Sequence, residues 1–527
     1  MIDRDSYSNN YFSIVHYKNT ISKEDKMDNF YNLIHQTLKQ KSNEPSIAYT
    51  ENGAAGYSTT KSALLDMNFK LSSYRNAAED IYFDVLRAYK EDPELTLKFL
   101  FFARDILQGA GERDFFREAI RTLALDGHFP AHLVKLIPEY GRWDDVFVLR
   151  GTPLENEMLK VVHDQFVADM ENYIGKKSFS LLAKWMPSVN TSNKDTCKLG
   201  YWFAKKLGIT PRQYRKTLAS MRARLVVIEP QMCANKWDAI KYENVPSRAN
   251  ALYKNAFLAH DYERRVAFLN DVVSGKKDIK AGTLFPHDIV AKYLRGGSSI
   301  RDVDITLEEL WKHLPNIDMP ESTIVVADGS GSMTFRIDNT SVSALAIANA
   351  LAIYFGERGK GEYANKYITF SERPRYVNFS RCKTLRDKLA VALQYNEIAT
   401  TNIEAVFNLI LNTAIDNNLR ADELPANILI ISDMGFNSAT TTHGKTLFGG
   451  IASRYAQYGY KLPKLIFWNV MARRNVIPVN QNENGVVLVS GFSPNIMKMV
   501  MNGETDPYKS LVKTLRSERY SKITLKA

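Results

Sequence analysis

The apolar positions change period near residue 320, and the chain divides there. From about Asn52 to Leu294 they recur three and four apart in Gly/Pro-bounded segments, which puts them on one face of successive helices. The expected helices include Glu79–Lys90, Pro93–Leu107, Arg113–Asp126, Ala131–Glu139 and Pro211–Val227. Successive helices of similar length predict an α-solenoid of HEAT-like pairs, although no strict repeating motif accompanies them. From Glu321, β-branched runs (Ser322–Ala327, Lys366–Phe370, Asn427–Ile431, Lys464–Asn469, Gly485–Val489) alternate with helical ones (Val342–Phe355, Thr384–Ala392, Ile403–Asn417, Phe448–Tyr458, Pro494–Met501). Such alternation predicts a doubly wound parallel sheet. The fold class is therefore α plus α/β. Residues 1–45 form a polar extension, 46–300 a helical domain, 301–320 a linker and 321–527 an α/β domain.

The first strand of the second half ends in chemistry. Thr323-Ile-Val-Val-Ala-Asp328 runs into Gly-Ser330-Gly-Ser332, and a helix follows with Thr340 or Ser341 as its expected N-cap. One carboxylate and two hydroxyls at alternate positions, at the carboxyl edge of a parallel sheet, make an oxygen-only cage for a hard divalent cation. Two further loops at strand ends carry suitable oxygens, Ala399-Thr400-Thr401-Asn402 and Ser432-Asp433-Met434. The Asp-x-Ser-x-Ser pattern resembles the metal-ion-dependent adhesion site of von Willebrand factor A domains. That resemblance implies that Thr401 and Asp433 complete a site begun by Asp328, Ser330 and Ser332. Two carboxylates plus neutral hydroxyls usually leave an open coordination position on the ion, which suits an acidic group from a protein partner, with Mg²⁺ (or another divalent cation) the expected occupant. These loops hold no histidine, and His443 stands without a partner in a Thr/Gly-rich segment, so the site reads as binding rather than catalytic, and no enzyme is expected.

Charge adds a second feature. The net charge is +11, and residues 201–300 alone carry +10, an electrostatic footprint for a polyanion or a well-solvated helical surface. In Pro211–Val227, Tyr214, Leu218, Met221 and Leu225 form an apolar stripe, and Arg212, Arg215, Lys216 and Arg222 are expected opposite it as a basic ridge, with Arg224 off the ridge. Cations in a row suit a phosphate backbone. Lys205, Lys206, Arg248, Lys254, Arg264 and Arg265 extend the candidates, and Tyr201, Trp202, Trp237, Tyr242, Tyr253 and Phe257 are either core residues or stacking platforms for unpaired bases. Gly141-Arg-Trp-Asp-Asp145 and Lys184-Trp-Met-Pro-Ser-Val-Asn190 are turns suited to an inner wall, with Arg142 and Asp144 or Asp145 the expected ion pair of a helix junction. Gly109-Ala-Gly111 lacks the context of a phosphate loop and reads as a helix break.

Both halves together resemble the Ro autoantigen family, whose TROVE module is a ring of HEAT-like helices closed by an A domain. They resemble more closely still its uncharacterised relatives in plants, fungi and large viruses. The matching stretches include Thr50-Glu-Asn-Gly53 with Tyr57-Ser-Thr, Ala103-Arg-Asp-Ile106, Gly111-Glu-Arg-Asp114, Tyr140-Gly-Arg-Trp-Asp-Asp145 and Ser188-Val-Asn190. Further on they include Pro211-Arg-Gln-Tyr-Arg-Lys-Thr-Leu218, Val245-Pro-Ser-Arg248, Ala281-Gly-Thr-Leu-Phe-Pro-His287, Ile368-Thr-Phe-Ser371, Phe467-Trp-Asn469 and Val489-Ser-Gly-Phe492. The resemblance spans roughly residues 50–505 and implies an RNA-binding ring protein, taking structured or misfolded RNA. The competing reading is a protein–protein scaffold, including one that assembles into a virus-like or other large particle, whose metal captures an acidic partner residue. The three cysteines, Cys197, Cys233 and Cys382, lack paired spacing, no apolar run approaches the ~20 residues of a membrane span, and the N terminus lacks the order of a signal peptide. A cytoplasmic protein with no membrane partner is the expectation.

Overall fold

A computed structural model describes residues 47–526, apart from 76–79, 226, 296–298, 321, 338–341, 371, 396–400, 438–446, 472–475, 479–484, 502 and 505. The extension at residues 1–45, the expected caps Thr340 and Ser341, and Ser371, Ala399, Thr400 and His443 lie outside the described residues.

The described chain starts as an antiparallel hairpin, β1 (Ile47–Tyr49) with β2 (Ala55–Tyr57). Helix α1 (Ala63–Phe69) begins where the Ser62 hydroxyl accepts the Leu65 N–H. Helices α2 (Asp80–Glu91), α3 (Pro93–Arg104) and α4 (Arg113–Leu125) then pack together. In α3, Leu95, Leu97, Phe99, Leu100, Phe101 and Phe102 are all buried, as a helix apolar on every side requires neighbours on every side. The segment Ala131–Glu139 departs from the expected α-helix: it is a 3-10 stretch, Ala131–Leu136, followed by one α turn, Ile137–Tyr140. Pro138 has no N–H to return to residue 134, so an α ladder cannot run through it.

Helices α5 (Glu155–Ile174), α6 (Lys194–Lys206), α7 (Pro211–Arg224), α8 (Tyr262–Val273) and α9 (Pro286–Tyr293) continue the helical part. The stretch expected as a linker contains a folded helix, α10 (Ile305–Lys312), capped by Asp304 on the Leu307 N–H at 3.1 Å. Leu307, Leu310 and Trp311 are buried, so residues 305–312 are core rather than connector.

The α/β part has six strands: β3 (Thr323–Asp328), β4 (Lys366–Phe370), β5 (Arg375–Asn378), β6 (Asn427–Ser432), β7 (Lys464–Asn469) and β8 (Val486–Ser490). Their order is β8-β7-β6-β3-β4-β5, parallel throughout except that edge strand β5 runs antiparallel to β4. The sheet is thus mixed rather than purely parallel. Only Val377 of β5 is buried, and a four-residue edge strand with one inward side chain carries too little alternation to stand out in sequence. Helix α11 (Ala344–Glu357) covers β3, β4 and β6 and packs its other side on α9. Its cap is Ser343, whose hydroxyl accepts the Ala346 N–H at 3.2 Å. Helices α12 (Leu385–Gln394), α13 (Ile403–Asp416), α14 (Leu447–Gln457) and α15 (Pro507–Leu515) follow. The expected helix at Pro494–Met501 is a 3-10 turn, Pro494–Ile496, and one α turn, Met497–Val500.

Both ends of the helical part rest on the α/β part. At its start, Asn68 donates to Leu488 O (3.1 Å), Ser72 Oγ to Asn469 O (3.1 Å), and Asn469 Nδ2 to Phe69 O (2.7 Å). At its end, Trp311 Nε1 donates to Glu357 at 2.9 Å. The two ends also meet: Gly111, at φ +74°, lies where a Cβ would stand 2.8 Å from the Phe285 ring. Beside it Arg75 pairs with Glu112 at 2.8 Å and lies over the Phe492 ring at 4.5 Å. Gly109 and Gly111 therefore do break a helix, between α3 and α4, and the break makes room for the far end of the helical part.

Candidate functional site

The strand order reverses between β3 and β6, and the crevice outside their carboxyl ends is where doubly wound sheets place functional loops. Asp328 ends β3 and Ser432 ends β6. Asp328 is buried; its Oδ1 accepts the Ser330 N–H at 2.9 Å and its Oδ2 accepts the Ser432 hydroxyl at 2.6 Å. Ser330 Oγ is 3.1 Å from Ser332 Oγ. Asp433, also buried, accepts the Gly435 N–H at 3.0 Å. Met434 between them takes a left-handed backbone (φ +62°), held by its N–H on Ser432 Oγ at 3.0 Å and by its buried side chain. Strain of that kind persists only where the surroundings fix it.

The third loop joins through hydrogen bonds. Thr401 is buried; its N–H donates to Asn437 Oδ1 at 3.2 Å, and its carbonyl accepts the Asn437 N–H at 2.9 Å. Asn52, from the β1–β2 turn, donates to Gly435 O at 2.6 Å and stands 3.5 Å from Thr401 Oγ1. The structure thus gathers the loops bearing all five expected ligands at one sheet edge.

Burial, and then the charge of Asp433, push the Asp328 carboxyl up to about 7. No cationic side chain pairs with Asp328 among the described residues. A buried carboxylate beside a second one, with hydroxyls for neighbours, is an environment that a hard divalent cation satisfies. No group of three or more His, Cys, Asp and Glu side chains assembles among the described residues, so the donor set here is two carboxylates plus hydroxyls. Asp328, Ser330, Ser332, Thr401 and Asp433 would hold the ion. Two further residues belong to the site: Ser432, which orients Asp328, and Asn52, which no local pattern could link to a position 349 residues away.

The basic candidates separate into exposed and engaged. On α7 the stripe Tyr214, Leu218 and Met221 is buried, while Arg212, Arg215 and Lys216 are exposed and make no ion pair among the described residues. Arg222 is not on that ridge. Four residues after Leu218, it sits at the edge of the buried stripe, where its guanidinium donates to Ala183 O (2.8 Å), Ser188 Oγ (2.7 Å) and Met186 O (2.5 Å). Lys205 is exposed, and Lys206 pairs with Glu155 at 3.6 Å. Arg248 stands 3.8 Å from Asp288, Lys254 bonds Asp304 at 2.5 Å, and Arg264 bonds Asp261 at 2.8 Å. Arg265 is wholly buried among Tyr242, Phe257 and Phe268, and that burial lowers its guanidinium to about 10. Of the aromatic candidates, Tyr201 is half exposed whereas Tyr242 and Phe257 are core. Tyr201 lies on α6 in a solvent-facing row with Lys194, Lys198 and Lys205, spaced four, three and four. Lys194 and Lys198 were legible by that spacing, but they fall just before the most basic block. Arg142 and Asp144 form the expected junction pair at 2.6 Å, with Arg142 over the Trp185 ring at 4.0 Å. Trp185, Pro187, Arg117, Asp144, Arg222 and Glu229 line an open cleft of about 680 Å³.

Comparison with known proteins names no activity. Residues 322–523 match a family model described as "Domain of unknown function (DUF7788)", and residues 50–136 and 203–318 match one described as "Domain of unknown function (DUF2828)". The gap between the matches, 318 to 322, falls just before β3. The chain is 28 % identical over 507 residues to "Uncharacterized protein L728" of Acanthamoeba polyphaga mimivirus, an alignment covering 87 % of this chain and 85 % of that one. Among the described residues no helix is long and apolar enough to cross a membrane.

Proposed function

We propose that the protein is an RNA-binding ring of the TROVE type, its helical part a HEAT-like solenoid and its α/β part a von Willebrand factor A-like domain with a divalent-cation site. The observation that carries the RNA reading is the solvent-facing cation set on two consecutive helices: Lys194 and Lys205 beside Tyr201 on α6, and Arg212, Arg215 and Lys216 on α7. Phosphates neutralise such rows, and the Tyr201 ring offers an unpaired base a stacking face. Nearby cations with acidic or carbonyl partners (Lys198, which pairs with Asp195 at 3.3 Å, and Lys206, Arg248 and Arg222) are expected to contribute less. The protein acts by binding and not by catalysis.

The test is filter binding of a structured RNA with a single-stranded end across a salt series. Replacing Arg212, Arg215 and Lys216 by Gln should reduce the slope of log affinity against log salt by about 2 to 3, close to one per lost phosphate contact. An unchanged slope removes α7 from the interface.

A second reading has its own support in the buried Asp328–Asp433 pair: the A domain binds an acidic partner side chain through its cation. Asp328→Ala should then abolish Mg²⁺-dependent capture of such a partner while leaving RNA affinity intact.

A further inference from the structure

Asn52 precedes the helical part in sequence, yet its amide reaches the candidate cation crevice. It donates to Gly435 O at 2.6 Å and stands 3.5 Å from Thr401 Oγ1. The turn that carries it is fastened to the same loop: Thr50 Oγ1 donates to Phe436 O, and Gly53 bridges Asn437. Beyond the turn, Tyr57 and Ile477 exchange two backbone hydrogen bonds, each 2.8 Å. Thr401 is therefore held from two sides, by Asn437 through its backbone and by Asn52 at its hydroxyl. A donor on one lone pair of Thr401 Oγ1 directs the remaining one, and the hydroxyl proton with it. Gly435, whose carbonyl Asn52 also fixes, holds Asp433 through its N–H.

We infer that Asn52 is a positioning residue for the cation site, and that cation binding and docking of the 50–54 turn are one coupled equilibrium. The inference rests on the cation-site reading and adds a consequence to it. A cation that draws in Thr401 and Asp433 tightens the two groups Asn52 holds, and by reciprocity a docked turn raises cation affinity. The site then works as a clasp between the hairpin ahead of the helical part and the α/β part.

The experiment uses the full chain with Mn²⁺ alone as probe, free Mn²⁺ being read by electron paramagnetic resonance. Asn52→Ala should weaken Mn²⁺ binding about tenfold, as loss of outer partners does in metal sites, while unfolding in EDTA stays cooperative. Asn52→Asp keeps the size but has no N–H to give Gly435 O or Thr401 Oγ1, so the protection of residues 47–57 in that variant should no longer depend on Mn²⁺. Hydrogen exchange over residues 47–57 should slow when Mn²⁺ is added to the wild type. Equal affinities for wild type and Asn52→Ala, or a Mn²⁺-dependent protection of residues 47–57 that survives in Asn52→Asp, overturns the coupling and leaves the cation site standing. A wild-type chain that binds no Mn²⁺ overturns both.

Discussion

Glu308, on the last helix of the helical part, accepts the backbone N–H of Leu385 at 2.7 Å, the first residue of α12 in the α/β part. The same carboxylate accepts the Arg386 N–H at 3.2 Å and the Tyr293 hydroxyl at 2.6 Å, while Thr384 Oγ1 takes the Asp387 N–H at 3.1 Å. Three N–H groups that no helix can satisfy internally are thus covered, and a negative charge sits at the positive end of the helix. Glu308→Gln keeps the shape but turns an NH₂ toward a donor, and should cost about 1–2 kcal/mol; Glu308→Ala strands two N–H groups and leaves the Tyr293 hydroxyl only its 3.2 Å bond to Asp304 O, and should cost about 2–4 kcal/mol. Urea unfolding measures both, and an Ala variant as stable as the wild type would remove this capping from the account of how the halves hold together.

Arg222 and the α7 ridge make opposite predictions. Arg222 supplies three hydrogen bonds to the 183–188 turn and stands part-buried. Arg222→Lys loses the planar fork that serves three acceptors at once, and should cost about 2–3 kcal/mol of stability while leaving the salt slope of RNA binding unchanged. The Arg212/Arg215/Lys216 substitutions should do the reverse. A stability loss from the ridge variants, or a slope change from Arg222→Lys alone, would show that the division between them is misplaced.

How much of this was legible in sequence depends on the range of the interaction. Two loops of the candidate cation site, at 328–332 and 432–434, were readable because each follows a β-branched run, and the third, at 399–402, because it opens a helix, all of them local signals. The ridge on α7 was readable for the same reason, except at Arg222, where a helical wheel cannot tell an exposed edge from one covered by a neighbouring turn. Arg265 looked like surface charge, yet three rings from other helical turns enclose it. Asn52 and Glu308 were invisible as site and cap because their partners lie hundreds or scores of residues away. The antiparallel β5 and the helix at 305–312 were missed because short segments carry too few periods to register.

His287 predicts how the meeting of the two ends responds to acid. It is buried between Phe285 and Phe492, ring centroids 5.5 and 5.3 Å away, with Arg75 and Arg248 nearby and Asp288 opposing them. Burial first of all lowers it to about 4. A histidine that is harder to protonate when folded gives the unfolded chain the greater proton uptake as pH falls through 6.5, so stability is lost from there down to about pH 4 and is unaffected above neutrality. The loss at pH 5 should be about 2 kcal/mol. His287→Gln cannot titrate, so the difference between its unfolding free energies at pH 7.5 and at pH 5, read from urea curves, should shrink by that amount. Parallel pH dependence in the two proteins would show that His287 does not set it.

Asp433→Asn should reverse its effect on stability when Mg²⁺ is added. Without metal, Asp433 raises the cost of ionising buried Asp328, and the amide relieves that repulsion while its oxygen can still accept the Gly435 N–H. The variant should therefore be more stable than the wild type in EDTA at pH 8, by about 1 kcal/mol. A cation binding only the folded wild type at a hundred times its dissociation constant adds about 2.7 kcal/mol, and the variant, with one carboxylate fewer, should gain much less. Thermal unfolding of both proteins in EDTA and in Mg²⁺ should then cross: variant above wild type without metal, below it with metal. If Mg²⁺ shifts the two melting temperatures equally, the carboxylate pair is not where the ion binds, and if neither shifts, the pair is a buried polar contact with no cation role.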